Sequence, residues 1–318
     1  MPTYLITGGA GFIGSNIAES LLERGENVRI LDNFSTGKRE NIVHLDGVEL
    51  VEGDIGDVRL VKKAMKGVDF CLHQAALPSV ARSVENPSLS NEVNVSGTVN
   101  VLVAAVEASV KRFVYASSSS VYGDSPTLPK REDMTPQPLS PYAVSKVAGE
   151  FYVTSFHHVY GLNTTILRYF NVFGPRQDPT SKYAAVIPAF ILAMSQGQSP
   201  RIFGDGEQSR DFTYVGNVVE ANIAACDSPD SPGGGIYNIA CGTRTNVNEL
   251  AKQTAQILKC DIEPVHVEPR PGDVRHSCAD ISAAREQLGY EPRIGLGEGL
   301  AKTVKWFTST NPVGSCAG

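Results

Sequence analysis

The segment Thr7-Gly8-Gly9-Ala10-Gly11-Phe12-Ile13-Gly14 decides the fold. It joins an apolar run, Tyr4–Thr7, to a helical pattern, Phe12–Arg24, and reads both as Gly9-x-Gly11-x-x-Gly14 and as Gly8-x-x-Gly11-x-x-Gly14. Glycines so placed make a tight turn, let backbone amides approach a pyrophosphate, and allow the helix to pack closely on the strand. The anion, held at Gly8, Gly11, Phe12, Ile13 and Gly14, then sits on the positive end of the helix. The next β-branched run, Val28–Asp32, ends in a carboxylate 18 residues after Gly14. Asp32, with Asn33 beside it, can accept from both hydroxyls of an adenosine ribose and repels a 2′-phosphate, which favours NAD over NADP. A P-loop at Gly37-Lys38 is excluded, because Asp32 stands where its first glycine would be. Gly53-Asp54-Ile55 ends a third run, Val48–Glu52, and is a candidate boundary of the adenine pocket.

Outward from this segment, short strands alternate with helices. Val58–Met65 is helical, Asp69–His73 a strand, Leu89–Ala108 a helix, Arg112–Ser117 a strand, Tyr142–Tyr160 a helix and Thr164–Tyr169 a strand. Such alternation predicts an α/β chain built on a Rossmann-type, doubly wound parallel sheet with helices on both faces. After Asn171 Pro and Gly become frequent and strands short, with helices at Gly216–Cys226, Val247–Lys259, Ile281–Gln287 and Gly297–Phe307. The expected division is a dinucleotide-binding domain over 1–171 and a smaller mixed α/β substrate-binding lobe over 172–318, with part of 207–240 packing back on the first domain.

Composition narrows the function classes. The 318 residues are 42% apolar and 19% charged, which suits a sizeable core and not a disordered chain. A net charge of −6 argues against a nucleic-acid surface. No apolar stretch approaches a membrane span, and no basic n-region or secretory h-region opens the chain. Six dispersed cysteines without a Cys-x-x-Cys pair read as reduced thiols, and His157-His158 lack companions at ligand spacing; no metal site is expected. A cytoplasmic location is the expectation.

A catalytic end follows downstream. Ser117-Ser118-Ser119-Ser120 ends a strand, and Ser140-Pro141-Tyr142-Ala143-Val144-Ser145-Lys146 opens a helix, with Ser140 as N-cap and Pro141 as its first residue. Tyr142 and Lys146 are then i and i+4 on one face. A tyrosine titrating near 10 serves as a base only if cations stabilise its phenolate; lowering its pKa by about 3 units takes on the order of 4 kcal/mol. Lys146 and a nicotinamide cation would supply this, with a serine hydroxyl bridging Tyr142 to the substrate oxygen.

Taken together, these segments resemble the extended short-chain dehydrogenase/reductase family, essentially end to end, and within it the nucleotide-sugar 4-epimerases. The resemblance implies a catalytic set of Ser118, Tyr142 and Lys146; Ser118 lies three residues before the Val121-Tyr122-Gly123 that follows the family's serine, and Ser119 is its nearest contender. His73-Gln74-Ala75-Ala76 matches the family's fourth-strand signature, placing Ala75 and Ala76 beside NAD, and Asn94 matches a helix asparagine that supports the site. The implied reaction is redox-neutral: Tyr142 takes the proton of a sugar 4-hydroxyl, C4 is oxidised by NAD, and the 4-keto sugar turns before hydride returns to its other face. Related dehydratases and decarboxylases place a carboxylate where this chain has Ser119 and Ser120, so epimerisation is favoured.

The same resemblance assigns a UDP-sugar site. Asn171 would contact the diphosphate–sugar region, Arg210 and Arg270 would clamp the phosphates with guanidinium forks, Asp273 would bind the uridine ribose, and Phe203 would pack near uracil. Ser79, Ser118, Ser120, Asn171, Gln177 and Ser277 together resemble the pocket of UDP-N-acetylglucosamine 4-epimerases; a small residue at Ser277 admits an acetamido group where a tyrosine crowds it, although Pro78 departs from the glycine common there. The expected substrates are UDP-GlcNAc and UDP-GalNAc, with UDP-Glc and UDP-Gal as a further pair. A UDP-glucuronate or UDP-N-acetyl-uronate 4-epimerase is the alternative, since Arg82, Arg176 or Arg275 could meet a C6 carboxylate. A NAD-sensing scaffold without chemistry is a third reading, which Ser118, Tyr142 and Lys146 oppose. The family also implies a homodimer through the helices Leu89–Ala108 and Tyr142–Tyr160, for which Val101, Ala104, Ala105 and Ala108 offer a small apolar face, one equally suited to packing on the sheet.

Overall fold

A computed structural model describes residues 1–179, 185–227, 233–269 and 274–310. Its first six sheet strands are β1 (Thr3–Thr7), β2 (Asn27–Asp32), β3 (Glu49–Glu52), β4 (Phe70–His73), β5 (Arg112–Ser118) and β6 (Thr164–Tyr169). All pair in parallel, in the order β3-β2-β1-β4-β5-β6, and a late strand, Gly235–Ile239, adds a seventh, parallel to β6. Alternate residues of each strand point to opposite faces. Thus Leu5 and Leu31 lie in one core with the helices α2 (Val58–Ala64), α5 (Thr98–Glu107) and α6 (Pro141–Tyr160). Ile6 and Ile30 lie in the other with α1 (Phe12–Glu23), α8 (Val215–Asp227) and α10 (Ser282–Leu288). This is the doubly wound Rossmann-type architecture expected.

Two differences from the sequence reading matter for the site. The helix expected over Leu89–Ala108 is three pieces: α4 (Pro87–Asn91), a π-helical segment at Glu92–Gly97, and α5. The widened turn brings the Asn94 side chain to the backbone of Leu77, with Leu77 N–H donating to Asn94 Oδ1 at 2.7 Å, a use typical of π segments near functional sites. Ahead of it stands a short helix, α3 (Val80–Glu85), that the sequence reading left unassigned. In addition, Val101, Ala104 and Ala105 are fully buried against the sheet rather than forming an outer face. The outward apolar residues are instead Val84, Leu89, Val144, Phe151 and Val159.

The smaller lobe has its own core around Phe173, Ile187, Phe190, Ile202, Phe212, Leu250, Leu300 and Phe307. Its helices include α7 (Val186–Ser195), which is not among the expected helices and contains Pro188. Pro188 lies in the first turn, where the missing N–H leaves no intrahelical bond unmade. The remaining helices, α9 (Val247–Leu258) and α11 (Leu296–Thr310), match the expected ones within a few residues. Strands here are two or three residues long: Val172–Phe173 with Thr213–Tyr214, Ser209–Arg210 with Thr245–Asn246, and Arg201–Phe203 with Val265–Val267.

Candidate active site

A cavity of about 770 Å³ opens at the carboxyl ends of the sheet strands, where the chain order reverses beside β1. This is where a doubly wound sheet leaves room for a ligand. Its wall contains Gly8, Gly11, Phe12, Ile13, Gly14, Asp32, Asn33, Asp54, Ile55, Ala75 and Ala76, together with Tyr142 and Lys146.

The dinucleotide end is shaped by backbone. Gly8 has φ +70°, and a Cβ there would lie 2.7 Å from Ala75 N. A Cβ on Gly14 would stand 2.3 Å from Gly8 O, so only glycine lets α1 start this close to the turn. The N-cap Gly11 offers no side-chain acceptor, which leaves the first amides of α1 for an anion. Asp32 is buried; its Oδ2 accepts from Ala10 N–H at 2.9 Å and its Oδ1 from Phe34 N–H at 2.8 Å. Burial pushes its pKa up against those two amides. Asn33 Nδ2 donates to Asp54 Oδ2 at 2.5 Å, tying two candidate adenosine contacts together. The glycine cradle, the uncapped helix start and the carboxylate at the end of β2 fit NAD.

Sequence reasoning missed part of this wall. Ser35, Thr36, Gly37, Lys38 and Asn41 also line the cavity, and the ideal Cβ of Gly37 would lie 2.8 Å from the Asp32 carboxylate. Gly37-Lys38 does not fit a P-loop, and no local motif marks the turn that brings Gly37 against the Asp32 carboxylate. On the opposite side, Lys38 Nζ meets Asp178 Oδ2 at 3.0 Å.

At the other end stand the groups with chemistry. Tyr142 borders the cavity from the first turn of α6, hydrogen-bonded to the side chain of Ser118, not Ser119. Ser118 Oγ also accepts from Ser120 N–H at 3.2 Å. Lys146 Nζ donates to Ala116 O at 2.8 Å and lies 5.9 Å from the Tyr142 ring centroid and 5.1 Å from that of Tyr115. Burial pushes the Tyr142 phenol up, with the Ser118 hydrogen bond opposing. Burial lowers Lys146 to about 8, and the Glu150 carboxylate opposes that. Burial thus opposes the phenolate, and positive charge nearby favours it.

Tyr142, Lys146 and Glu150 recur every four residues on one face of α6, so Glu150 extends the Tyr142–Lys146 spacing. Glu150 is fully committed: Arg168 meets it with Nε at 2.8 Å and Nη2 at 2.7 Å, and Ser117 Oγ donates at 2.5 Å. Arg168 also donates to Tyr122 OH at 2.8 Å, and that hydroxyl donates to Asn238.

The expected sugar-nucleotide residues fall into three groups. Ser79 and Gln177 line the cavity, and Gln177 Oε1 is buried without a partner among the described residues. Ser118, Ser120, Asn171, Phe203, Arg210 and Ser277 are not in its wall: Asn171 Nδ2 donates to Asp211 O at 3.4 Å, Arg210 bonds Ser209 O and Arg275 O, and Ser277 N–H donates to Ser209 O at 3.0 Å. Arg270 and Asp273 lie outside the described residues. Buried Asp211 joins this rim by accepting from the amides of Cys241, Gly242 and Ala279. Asn94 sits behind the cavity wall. Of the arginines considered for a carboxylate substrate, Arg82 and Arg176 both line the cavity, Arg176 being paired with Glu19 on α1, whereas Arg275 lies outside the wall and is paired with Asp205. No cluster of potential metal ligands exists among the described residues.

The sequence pattern of the NAD-dependent epimerase/dehydratase family matches residues 4–240, three quarters of the chain. The chain belongs to this family. Its cofactor is NAD, as the glycine cradle and Asp32 indicated. Among curated relatives, UDP-glucose 4-epimerase of Mycolicibacterium smegmatis is 41% identical over 308 residues, covering 95% of this chain and 97% of the relative. UDP-glucuronate 4-epimerase 4 of Arabidopsis thaliana is 36% identical over 333 residues, covering 96% and 75%. Among solved structures, a UDP-N-acetylglucosamine 4-epimerase from Methanobrevibacter ruminantium M1, in complex with UDP-N-acetylmuramic acid, superposes with a TM-score of 0.93 at 42% identity, covering 97% of this chain and 99% of the other. No helix among the described residues is long and apolar enough to cross a membrane.

Proposed function

We propose that this enzyme is a UDP-sugar 4-epimerase, acting on UDP-GlcNAc and UDP-GalNAc and, as a second pair, on UDP-Glc and UDP-Gal. The observation that carries the reading is the set at the end of the dinucleotide cavity: Tyr142 beside the Ser118 hydroxyl, backed by Lys146, with serines at positions 117–120 and no carboxylate among them. Bound NAD supplies a hydride acceptor and donor at the sugar C4. Tyr142 holds the proton of the 4-hydroxyl and gives it back after the keto sugar has turned. Ser118 bridges that oxygen and the phenol, and Lys146 contributes positive charge beneath the ring. Asn171, with Phe203, Arg210, Arg270 and Asp273 from the smaller lobe, would grip the UDP portion, and Ser277 would leave room for the acetamido group. Gripping the nucleotide firmly leaves the ring free to turn, so binding energy is placed remotely from the reacting carbon.

Likeness to the archaeal UDP-N-acetylglucosamine 4-epimerase supports the acetylated sugar, as does the small Ser277. A UDP-uronate substrate is the second reading, favoured by Arg82 and Arg176 in the cavity wall and by the plant relative; the pairing of Arg176 with Glu19 and of Arg275 with Asp205 weighs against it. The exposed apolar residues of α3, α4 and α6 also suit a homodimer through these helices, which size-exclusion chromatography with light scattering tests. The function is tested by incubating pure protein with UDP-GlcNAc, UDP-Glc and UDP-glucuronate, without added cofactor, and following C4 inversion by NMR. Inversion of UDP-GlcNAc is expected; inversion of UDP-glucuronate alone would transfer the assignment to the second reading.

A further inference from the structure

The amides that begin α6 are satisfied in an unusual way. A helix leaves its first N–H groups without intrahelical partners. Pro141 has none to satisfy, and Ala143 N–H donates to Ser140 Oγ at 3.1 Å. That leaves the amide of Tyr142 itself. It donates at 3.0 Å to Ser83 Oγ, a hydroxyl 59 residues away on α3. Ser83 is completely buried, and its hydroxyl proton is directed to Val80 O at 2.6 Å, so its lone pairs are fixed on the Tyr142 amide.

The carbonyl of Tyr142 is held as well. It accepts from Ser145 Oγ at 2.7 Å; Ser145 Oγ accepts in turn from Asn94 Nδ2 at 3.0 Å, and Asn94 Oδ1 accepts from Leu77 N–H at 2.7 Å. Both anchors therefore return to the same stretch, residues 77–83, four of which (Leu77, Pro78, Ser79 and Arg82) line the cavity. The closed circuit references the catalytic ring to the wall that faces the substrate.

We propose that Ser83 is a positioning residue of the reaction, a cap supplied from α3 that fixes Tyr142 relative to the 77–83 wall. It touches neither substrate nor cofactor; its effect runs through the backbone of Tyr142. The hydrogen bond is made to the reacting residue's own amide, so its loss displaces the phenol from Ser118 and Lys146 while leaving the dinucleotide cradle intact. A misplacement of ~1 Å at a reacting group costs up to about a hundredfold in rate.

The inference rests on the epimerase reading for its rate measurement but not for its spectroscopic one. Full-length Ser83→Ala and Ser83→Thr are compared with wild type for NAD content, KM, kcat and its pH profile. The ionisation of Tyr142 is followed separately, by ultraviolet difference titration against Tyr142→Phe. Ser83→Ala should keep NAD content and KM within about twofold, lower kcat about tenfold or more, and move the Tyr142 titration. Ser83→Thr keeps the hydroxyl and should recover most of the rate. A Ser83→Ala protein with wild-type kcat and an unmoved phenol titration would overturn the proposal. So would equal rate losses in the two variants alongside equal falls in melting temperature, which mark packing alone. Absence of C4 inversion in the wild type, with the phenol titration still moved by Ser83→Ala, would reject the epimerase reading and retain the positioning role.

Discussion

The two ends of the site are built by different means. At the dinucleotide end, the groups that meet the ligand are backbone atoms and residues fixed at strand termini: Gly8 after β1, Asp32 at the end of β2, Ala75 after β4. At the proposed sugar-nucleotide end the candidates are side chains on loops and on two- and three-residue strands, and Arg210 and Ser277 bond one another's segments. A backbone-shaped site tolerates almost no added atom, whereas a side-chain site retunes by substitution. On the proposed reading, the first end would set which cofactor is held and the second which sugar is accepted.

Mutations can break this contrast in order of severity. Gly14→Val should be the most damaging: its Cβ collides with Gly8 O, costing about 1–3 kcal/mol of stability by overpacking. The purified variant should lack bound NAD and turnover, checked by absorbance and thermal melting. Lys146→Met should lower kcat by about 10²–10⁴-fold with NAD retained. Lys146 sits at about 8, so its positive charge is present below that pH and is lost as pH rises through it. The wild-type kcat profile should fall on the alkaline side of about pH 8, and that limb should be missing from Lys146→Met. Asp32→Ser should improve NADP binding by about tenfold or more, because juxtaposed like charges cost several kcal/mol, with fluorescence titration as the check. The mildest is Ser277→Tyr, which should reduce kcat/KM for UDP-GlcNAc by about tenfold and spare UDP-Glc; crowding of one group in a pocket is worth about 1–3 kcal/mol. Equal losses on both sugars would erase the proposed division between the ends.

The same contrast explains what could be read from the sequence. Most strands of the sheet carry an apolar run bracketed by turn residues, and glycine at Gly8 and Gly14 announces a steric demand that no other residue meets. Those signals are local, so the first six strands, the glycine part of the cavity wall and the Tyr142–Lys146 face were legible, while the seventh strand, Gly235–Ile239, and the 35–41 part of the wall were not. The π-helical turn at Glu92–Gly97 was not, because it depends on Asn94 reaching the backbone of Leu77. Nor was α7, whose Pro188 reads as a breaker until its place in the first turn is known. The Glu150–Arg168 pair lay partly in view, since Glu150 continues the four-residue spacing, but its partner stands on β6 and is joined only by folding. In the smaller lobe the strands are too short to announce themselves, and their partners lie up to 64 residues away, as in Val265 with Arg201.

The most direct test concerns the phenol oxygen. Tyr142→Phe removes one atom from the cavity wall and nothing from the glycine cradle or Asp32. Incubated with UDP-GlcNAc and followed by NMR, this variant should carry its full complement of NAD and show no inversion at C4. Inversion at a rate close to wild type would contradict the account, because proton transfer would then belong to another group.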